Sequence, residues 1–195
     1  MKPQGFTLIE IAIVLVIIGL ILGMVFKGKQ LIDQTRVKNL AGQYHKIVGA
    51  IQTFYDRYGF YPGDGCTTAD PTSPALCTGP KNGFIDNSMN EMQAFWNLLF
   101  RTGILTPSDR NSVYGQPWNI LLGNNPAAGL SNQTNWLDLP GGAQADKRVA
   151  CALDRMIDDG RANNGSVITF GNPYNPQSDC WSLSGQVNIH LKVIP

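Results

Sequence analysis

The chain has 195 residues, with 15 basic and 14 acidic side chains, a formal net charge of +1, and charged residues making up only 15% of the total. So sparse and balanced a charge provides no polybasic surface for nucleic acid. Glycine (21) and proline (12) are frequent, which points to a loop-rich domain rather than a helical bundle, and the length leaves room for one domain with a real core.

Met1 to Gly5 is a polar leader with one lysine, and from Phe6 to Phe26 the chain is apolar except at Thr7 and Glu10. As a helix this run spans roughly 31 Å, the thickness of a bilayer's hydrocarbon core. A carboxylate in such a run is costly, about 2.5–3.5 kcal/mol at the helix centre and less toward the interface. Glu10 is therefore a candidate functional residue that requires a partner. A cleaved secretory signal would end in small residues, but here the run meets Lys27-Gly28-Lys29-Gln30. A plain anchor explains the length and leaves Glu10 unexplained.

The order Gly5-Phe6-Thr7-Leu8-Ile9-Glu10, followed by the apolar run, resembles the signal of the type IV pilin-like family. That resemblance implies cleavage between Gly5 and Phe6 by the membrane prepilin peptidase, and N-methylation of Phe6. It also implies that Glu10 pairs with the terminal amine of a neighbouring subunit during filament assembly. A buried carboxylate becomes tolerable once such a cation is beside it. The implied partners are other pilin subunits, the peptidase, an inner-membrane assembly platform and the membrane itself, with no cofactor, nucleic acid or small-molecule ligand indicated. The implied life history is a single-pass inner-membrane precursor with its head in the periplasm, then a pilus at the cell surface. Two alternatives share the signal: a type II secretion pseudopilin forming a periplasmic pseudopilus, and a minor fibre-tip subunit binding DNA or a surface. Lys27, Lys29, Arg36 and Lys38 outweigh Lys2 and taken alone would turn the head toward the cytoplasm. The processing signal is the more specific of the two, and four cysteines beyond the apolar run agree with it.

From Val37 the apolar residues Leu40, Tyr44, Ile47, Val48, Ile51, Phe54, Tyr55 and Tyr58 recur at steps of three and four, which mark one face of a helix. One helix from about Phe6 to Tyr58 would be about 80 Å long. Gly19 and Gly23 form a G-x-x-x-G pair that permits close helix approach. Many type IV pilins have a proline near the position of Lys27, and this chain has none. Gly59 ends the helix, and Phe54 to Asp64 resembles the segment by which pilin-like proteins pass from helix to head. The expected divisions are a leader (1–5), an apolar half-helix (6–26), an amphipathic half-helix (27–58) and a head (59–195). The fold class is α+β, with the long helix packed against a small antiparallel sheet.

Within the head, Met89 to Leu99 carries Met92, Phe95, Trp96 and Leu99 at helical spacing, with Ser88 as N-cap and Glu91 completing a capping box. Val113-Tyr114 and Trp118 to Leu122 read as short strands. Asp146 to Ile157 is helical and closed by Asp158-Asp159-Gly160. Val187, Ile189, Leu191 and Val193 alternate with Asn188, His190, Lys192 and Ile194, as in a half-buried antiparallel strand. Cys66, Cys77, Cys151 and Cys180 fit no zinc or redox spacing. Three disulfide connectivities exist, and Cys66–Cys77 with Cys151–Cys180 is favoured because each closes a local loop.

No catalytic constellation emerges from the sequence. His45 falls on the solvated side of the long helix and His190 on the polar face of the last strand, neither near a nucleophile. Asp64, Asp70 and Asp86, or Asp154, Asp158 and Asp159, are oxygen donors that could take calcium, as a head loop does in some related pseudopilins. Their spacing matches no EF-hand, and aspartates in glycine-rich turns ordinarily shape the turn. Asn132-Gln-Thr134 and Asn164-Gly-Ser166 match the glycosylation pattern at a frequency an Asn-rich chain produces by chance. Trp118, Trp136 and Trp181 are expected in the core rather than on a sugar- or DNA-binding surface.

Overall fold

The computed structural model describes residues 7–123, 130, 133–139, 145–171 and 173–194. The elements in order are α1 (Leu8–Tyr58), α2 (Met89–Arg101), β1 (Asn119–Leu122), β2 (Asn135–Asp138), β3 (Ala145–Asp146), α3 (Lys147–Ile157), β4 (Val167–Phe170) and β5 (Gln186–Ile194). By internal contacts the chain divides into two units, Met1–Arg36 and Val37–Pro195. The second unit therefore takes in the upper half of α1.

All strands of the head are antiparallel, and β5 is the spine of the sheet. At Leu191 it pairs with Leu137 of β2 and Val167 of β4, and its start pairs with β3 through Val187 and Ala145. The first strand, β1, adds to β2 in the register Ile120 to Leu137. On one face of the sheet, Leu137, Val167, Ile189 and Leu191 join a core with Leu40, Ile47, Ile51 and Phe54 of α1, Phe95 and Leu99 of α2, and Val149 and Leu153 of α3. Three-and-four spacing on α1 is what turns these positions to one side, although Tyr55 and Tyr58, which share the pattern, stay exposed.

Polar contacts fix the register of the upper α1 against the head. Gln43 accepts from the Trp118 indole and donates to the carbonyls of Asp109 and Asn111. Tyr44 Oη donates to the Lys192 carbonyl at 2.8 Å, and Lys46 pairs with Asp109 at 2.6 Å. The Lys46 hydrogen bond holds the Asp109 carboxyl below its ordinary range. Gly59 sits at φ +78 and its N–H closes on Tyr55 O, the left-handed ending that glycine allows at a helix C-terminus.

Three local expectations differ from the structure. Val113-Tyr114 is the tip of a tight turn closed by an Asn111–Pro117 bridge, not a strand. Glu91 does not reach back to the Ser88 N–H. Ser88 Oγ caps Glu91 N at 3.2 Å, but the Glu91 carboxylate accepts from Gly65 N and Asp86 N instead, because those loop amides have no partner in regular structure and a charged acceptor suits them better. The last strand is buried on both faces, since Leu130, Trp136 and Ile168, with Leu121 and Phe170, form a second cluster. His190 is accordingly buried, edge-on to Phe170 at 4.7 Å and 3.1 Å from Asp138 Oδ1.

Candidate functional site

Helix α1 begins with a reciprocal cap. Thr7 N and Thr7 Oγ1 both donate to Glu10 Oε2, at 2.8 and 2.7 Å, and Glu10 N donates to Thr7 Oγ1 at 3.4 Å. This is the capping box of a Thr-x-x-Glu start, legible in Thr7-Leu8-Ile9-Glu10 but eclipsed by the intermolecular role the resemblance implies. Both side-chain bonds fall on Oε2, so Oε1 is without a hydrogen bond among the described residues. Glu10 is exposed. Gly5 and Phe6 lie outside the described residues.

Beyond the cap, every large apolar side chain from Leu8 to Val25 is exposed. The most apolar window of α1 has a mean hydropathy of 3.0 with nothing buried, so by length and composition this helix could cross a membrane. Gly19 and Gly23 have open space where a Cβ would sit.

In the head, the structure joins Cys66 to Cys77 and Cys151 to Cys180, which leaves no free thiol. Beside the first disulfide, Asp64 is buried and accepts from Asn82 N and Gly83 N at 3.1 and 3.0 Å. Burial raises both Asp64 and Glu91 above their ordinary values. Asp70 is engaged elsewhere by Arg101, and Asp86 accepts from the Asn82 side chain, so Asp64, Asp70 and Asp86 do not converge as one ligand set.

The second disulfide pins the 171–185 loop to α3, helped by Arg155, which donates to Pro176 O and Ser178 O. Asp154, Asp158 and Asp159 do converge, each offering a carboxylate oxygen within 4.8 Å of the others, and are the acids placed to share a cation. Each already serves the turn. Asp154 accepts from Gly160 N at 3.1 Å and Tyr174 Oη at 2.9 Å. Asp158 accepts from Ser166 N and Val167 N, and Asp159 from Arg161 N and the Asn164 side chain. Burial pushes Asp154 up to about 7, and it raises Tyr174, with Asp154 adding to the shift. Gly165 has φ +95, and a Cβ there would collide with the Asp158 carboxylate.

The remaining candidates are placed plainly. His45 is exposed on α1. Trp118 and Trp136 are buried and Trp181 is half-buried. Asn132 lies outside the described residues, and Asn164 is exposed. Sequence reasoning missed the anchoring role of Glu91, whose distant amide donors leave no local pattern.

These features define a class: a chain whose capped N-terminal helix exposes a membrane-length apolar run, continued by a disulfide-clipped α+β head. Residues 1–26 match the family described as the prokaryotic N-terminal methylation motif, so the N-terminal segment carries the type IV pilin signal. No curated protein matches the chain. Among solved structures the chain is similar to the major type IV pilin PilA1 from Clostridium difficile, at 13% identity over 84% of this chain and 98% of that one, with a TM-score of 0.39.

Proposed function

We propose that this protein is a type IV pilin-like structural subunit, held in the inner membrane with its head in the periplasm and then assembled into a helical filament. The observation that carries this reading is the continuity of the methylation motif in residues 1–26 with a helix whose large apolar side chains from Leu8 to Val25 are all exposed. Such a surface is stable only in lipid or against other apolar helices, and a subunit that moves from membrane to fibre meets both.

In this mechanism the prepilin peptidase cuts between Gly5 and Phe6 and methylates the new amine. The methylated amine stays protonated and cationic. On entry to the fibre it meets the Glu10 carboxylate of a neighbour, whose Oε2 is held by Thr7 while Oε1 is open. An unpaired acid in the packed apolar core would be costly, so the pairing sets the axial register between subunits. The head's work is mechanical, and the assembly platform supplies the extraction.

Intact mass of the protein from sheared surface fibres and from inner membranes tests this. A species beginning at methylated Phe6 and abundant in the sheared fraction is the expected result. The same species confined to the envelope would make the filament a periplasmic pseudopilus, or the chain a minor subunit. An uncut species beginning at Met1, in cells with an active prepilin peptidase, would overturn the reading. Gly5→Glu should accumulate as that uncut species, because the peptidase would have to accept a charged side chain next to the scissile bond.

A further inference from the structure

The head contains a cavity of about 230 Å³ between α2, the turn ending at Arg110 and β1, lined by Met89, Met92, Gln93, Trp96, Arg110, Asn119 and Ile120. Of its apolar lining residues, Trp96 and Ile120 are each 1% exposed, while Met89 stands exposed beside it. Flexible, polarizable methionines at a rim fit irregular apolar guests. The volume is below that of a drug-sized site and suits one ring or one branched chain.

Arg110 gives the cavity its chemistry. Its guanidinium carbon lies 5.3 Å from the centre of the Trp96 ring, and burial lowers its basicity. Nε donates to Trp118 O at 2.8 Å and Nη2 to Asn119 Oδ1 at 3.1 Å. A guanidinium has five N–H donors, so three have no acceptor among the described residues. Among the described residues no carboxylate pairs with it: Asp109, next in the chain, is bound to Lys46 and Thr106. A half-buried, well-oriented cation with spare donors and no anion lacks the compensation that buried charges normally have. The Trp96 Nε1–H is likewise buried with no acceptor among the described residues. By contrast, in the groove lined by Lys38, Gln43, Lys46 and Ser112, Lys46 already has its acid and Lys38 is exposed.

We propose that this cavity is a binding site for a small carboxylic acid with a compact apolar body, its carboxylate on Arg110 and its body between Trp96, Ile120 and the two methionines. Guanidinium matches carboxylate geometry and holds it more strongly than a neutral acceptor. The site belongs to the head alone and does not depend on the filament reading.

The test is an NMR titration of the full-length protein in detergent micelles, following the Trp96 indole N–H and the Arg110 Nε–H. Phenylacetate and 3-methylbutanoate should shift both signals saturably. Phenylacetamide, which keeps the ring and loses the charge, should bind about tenfold more weakly, and so should acetate, which keeps the charge and loses the body. Arg110→Gln should lose phenylacetate binding by a similar factor, and Met89→Ala, at an exposed position, should weaken it by less. Arg110 also supports the Trp118 carbonyl, so the acid-against-amide comparison on the unaltered protein decides the matter even where Arg110→Gln misfolds. No saturable shift with either acid, or equal binding of acid and amide, would overturn the proposal.

Discussion

The two units of this chain manage apolar surface in opposite ways. From Leu8 to Val25 the large apolar side chains are exposed without exception, whereas from Val37 to Phe54 the apolar face of α1 is covered by two helices and a sheet. The first segment needs another phase or another molecule to cover it; the second carries its own cover. The instructions differ accordingly. The first unit is written in neighbouring residues, as a helix cap and an apolar run, while the head depends on contacts between residues far apart in sequence, such as Tyr44 with Lys192 and Ile85 with Asn135.

Glu10 offers the sharpest way to break this comparison, because it has a local role and a proposed intermolecular one. Glu10→Gln keeps an N3 residue that can complete the capping box but removes the charge. We expect it to abolish fibres in a shearing assay while the head's thermal transition stays unchanged. Glu10→Ala should also abolish them, and it removes the reciprocal half of the capping box as well. Normal fibres from Glu10→Gln, with none from Glu10→Ala, would assign the residue to the cap alone.

The same contrast explains what could be read from the sequence. The span of α1, its turn at Gly59, the helices α2 and α3 and the strand β5 all carry a period or a cap within a few residues. The expected cysteine partners are those the structure joins, and each lies near in sequence. By comparison, β2 is four residues with a register shift between Asn135 and Trp136, too short and irregular to announce itself. His190 looked solvated because alternation reports only that one face of β5 is apolar, and the cover on the other face comes from Leu130, Trp136 and Ile168. The Arg110 cavity is invisible in sequence for a related reason: its cation, its aromatic ring and its strand come from three separate elements.

The head should break where its long-range ties are cut. Replacing Cys151 and Cys180 together by serine opens a loop with a sequence separation of 29, which costs about 3–4 kcal/mol by the chain-entropy relation. The Cys66–Cys77 pair, with a separation of 11, should cost about 3 kcal/mol by the same relation. Thermal or denaturant unfolding of the two double variants should rank them in that order. Neither should alter the proposed cleavage between Gly5 and Phe6, read by intact mass, because each disulfide joins residues of the head alone.

Gly165→Ala should come next. Its positive φ costs roughly 1–2 kcal/mol for an L side chain, and a Cβ would displace the Asp158 carboxylate from Ser166 N and Val167 N, adding about 1–3 kcal/mol for stranded donors. The total, about 2–5 kcal/mol, overlaps the disulfide losses, and a Tm change within error would show that the turn relaxes around the new methyl group.

The smallest effect lies at Asp154 and has a definite sign. Its carboxyl is pushed up to about 7 by burial, with Asp158 and Asp159 reinforcing the shift and Tyr174 and Gly160 opposing it. In the unfolded chain an aspartate titrates near its ordinary value of about 3.9. Between about pH 4 and 7 the folded state therefore holds a proton that the unfolded state has lost, and stability falls as pH rises through that window. Over pH 6 to 8 the loss is on the order of 1.4 kcal/mol, or a few °C in Tm. Asp64 and Glu91, raised by burial as well, act in the same direction at lower pH. Asp154→Asn should remove most of the dependence above pH 6. Its side-chain oxygen can still accept from Gly160 N, and its NH2 can donate to Tyr174 Oη, which turns its own hydrogen toward Ala150 O at 3.4 Å. Melting curves at pH 6 and 8 for both proteins check this. An unaltered slope in the variant would mean that Asp154 is ionised in the fold and does not carry the dependence.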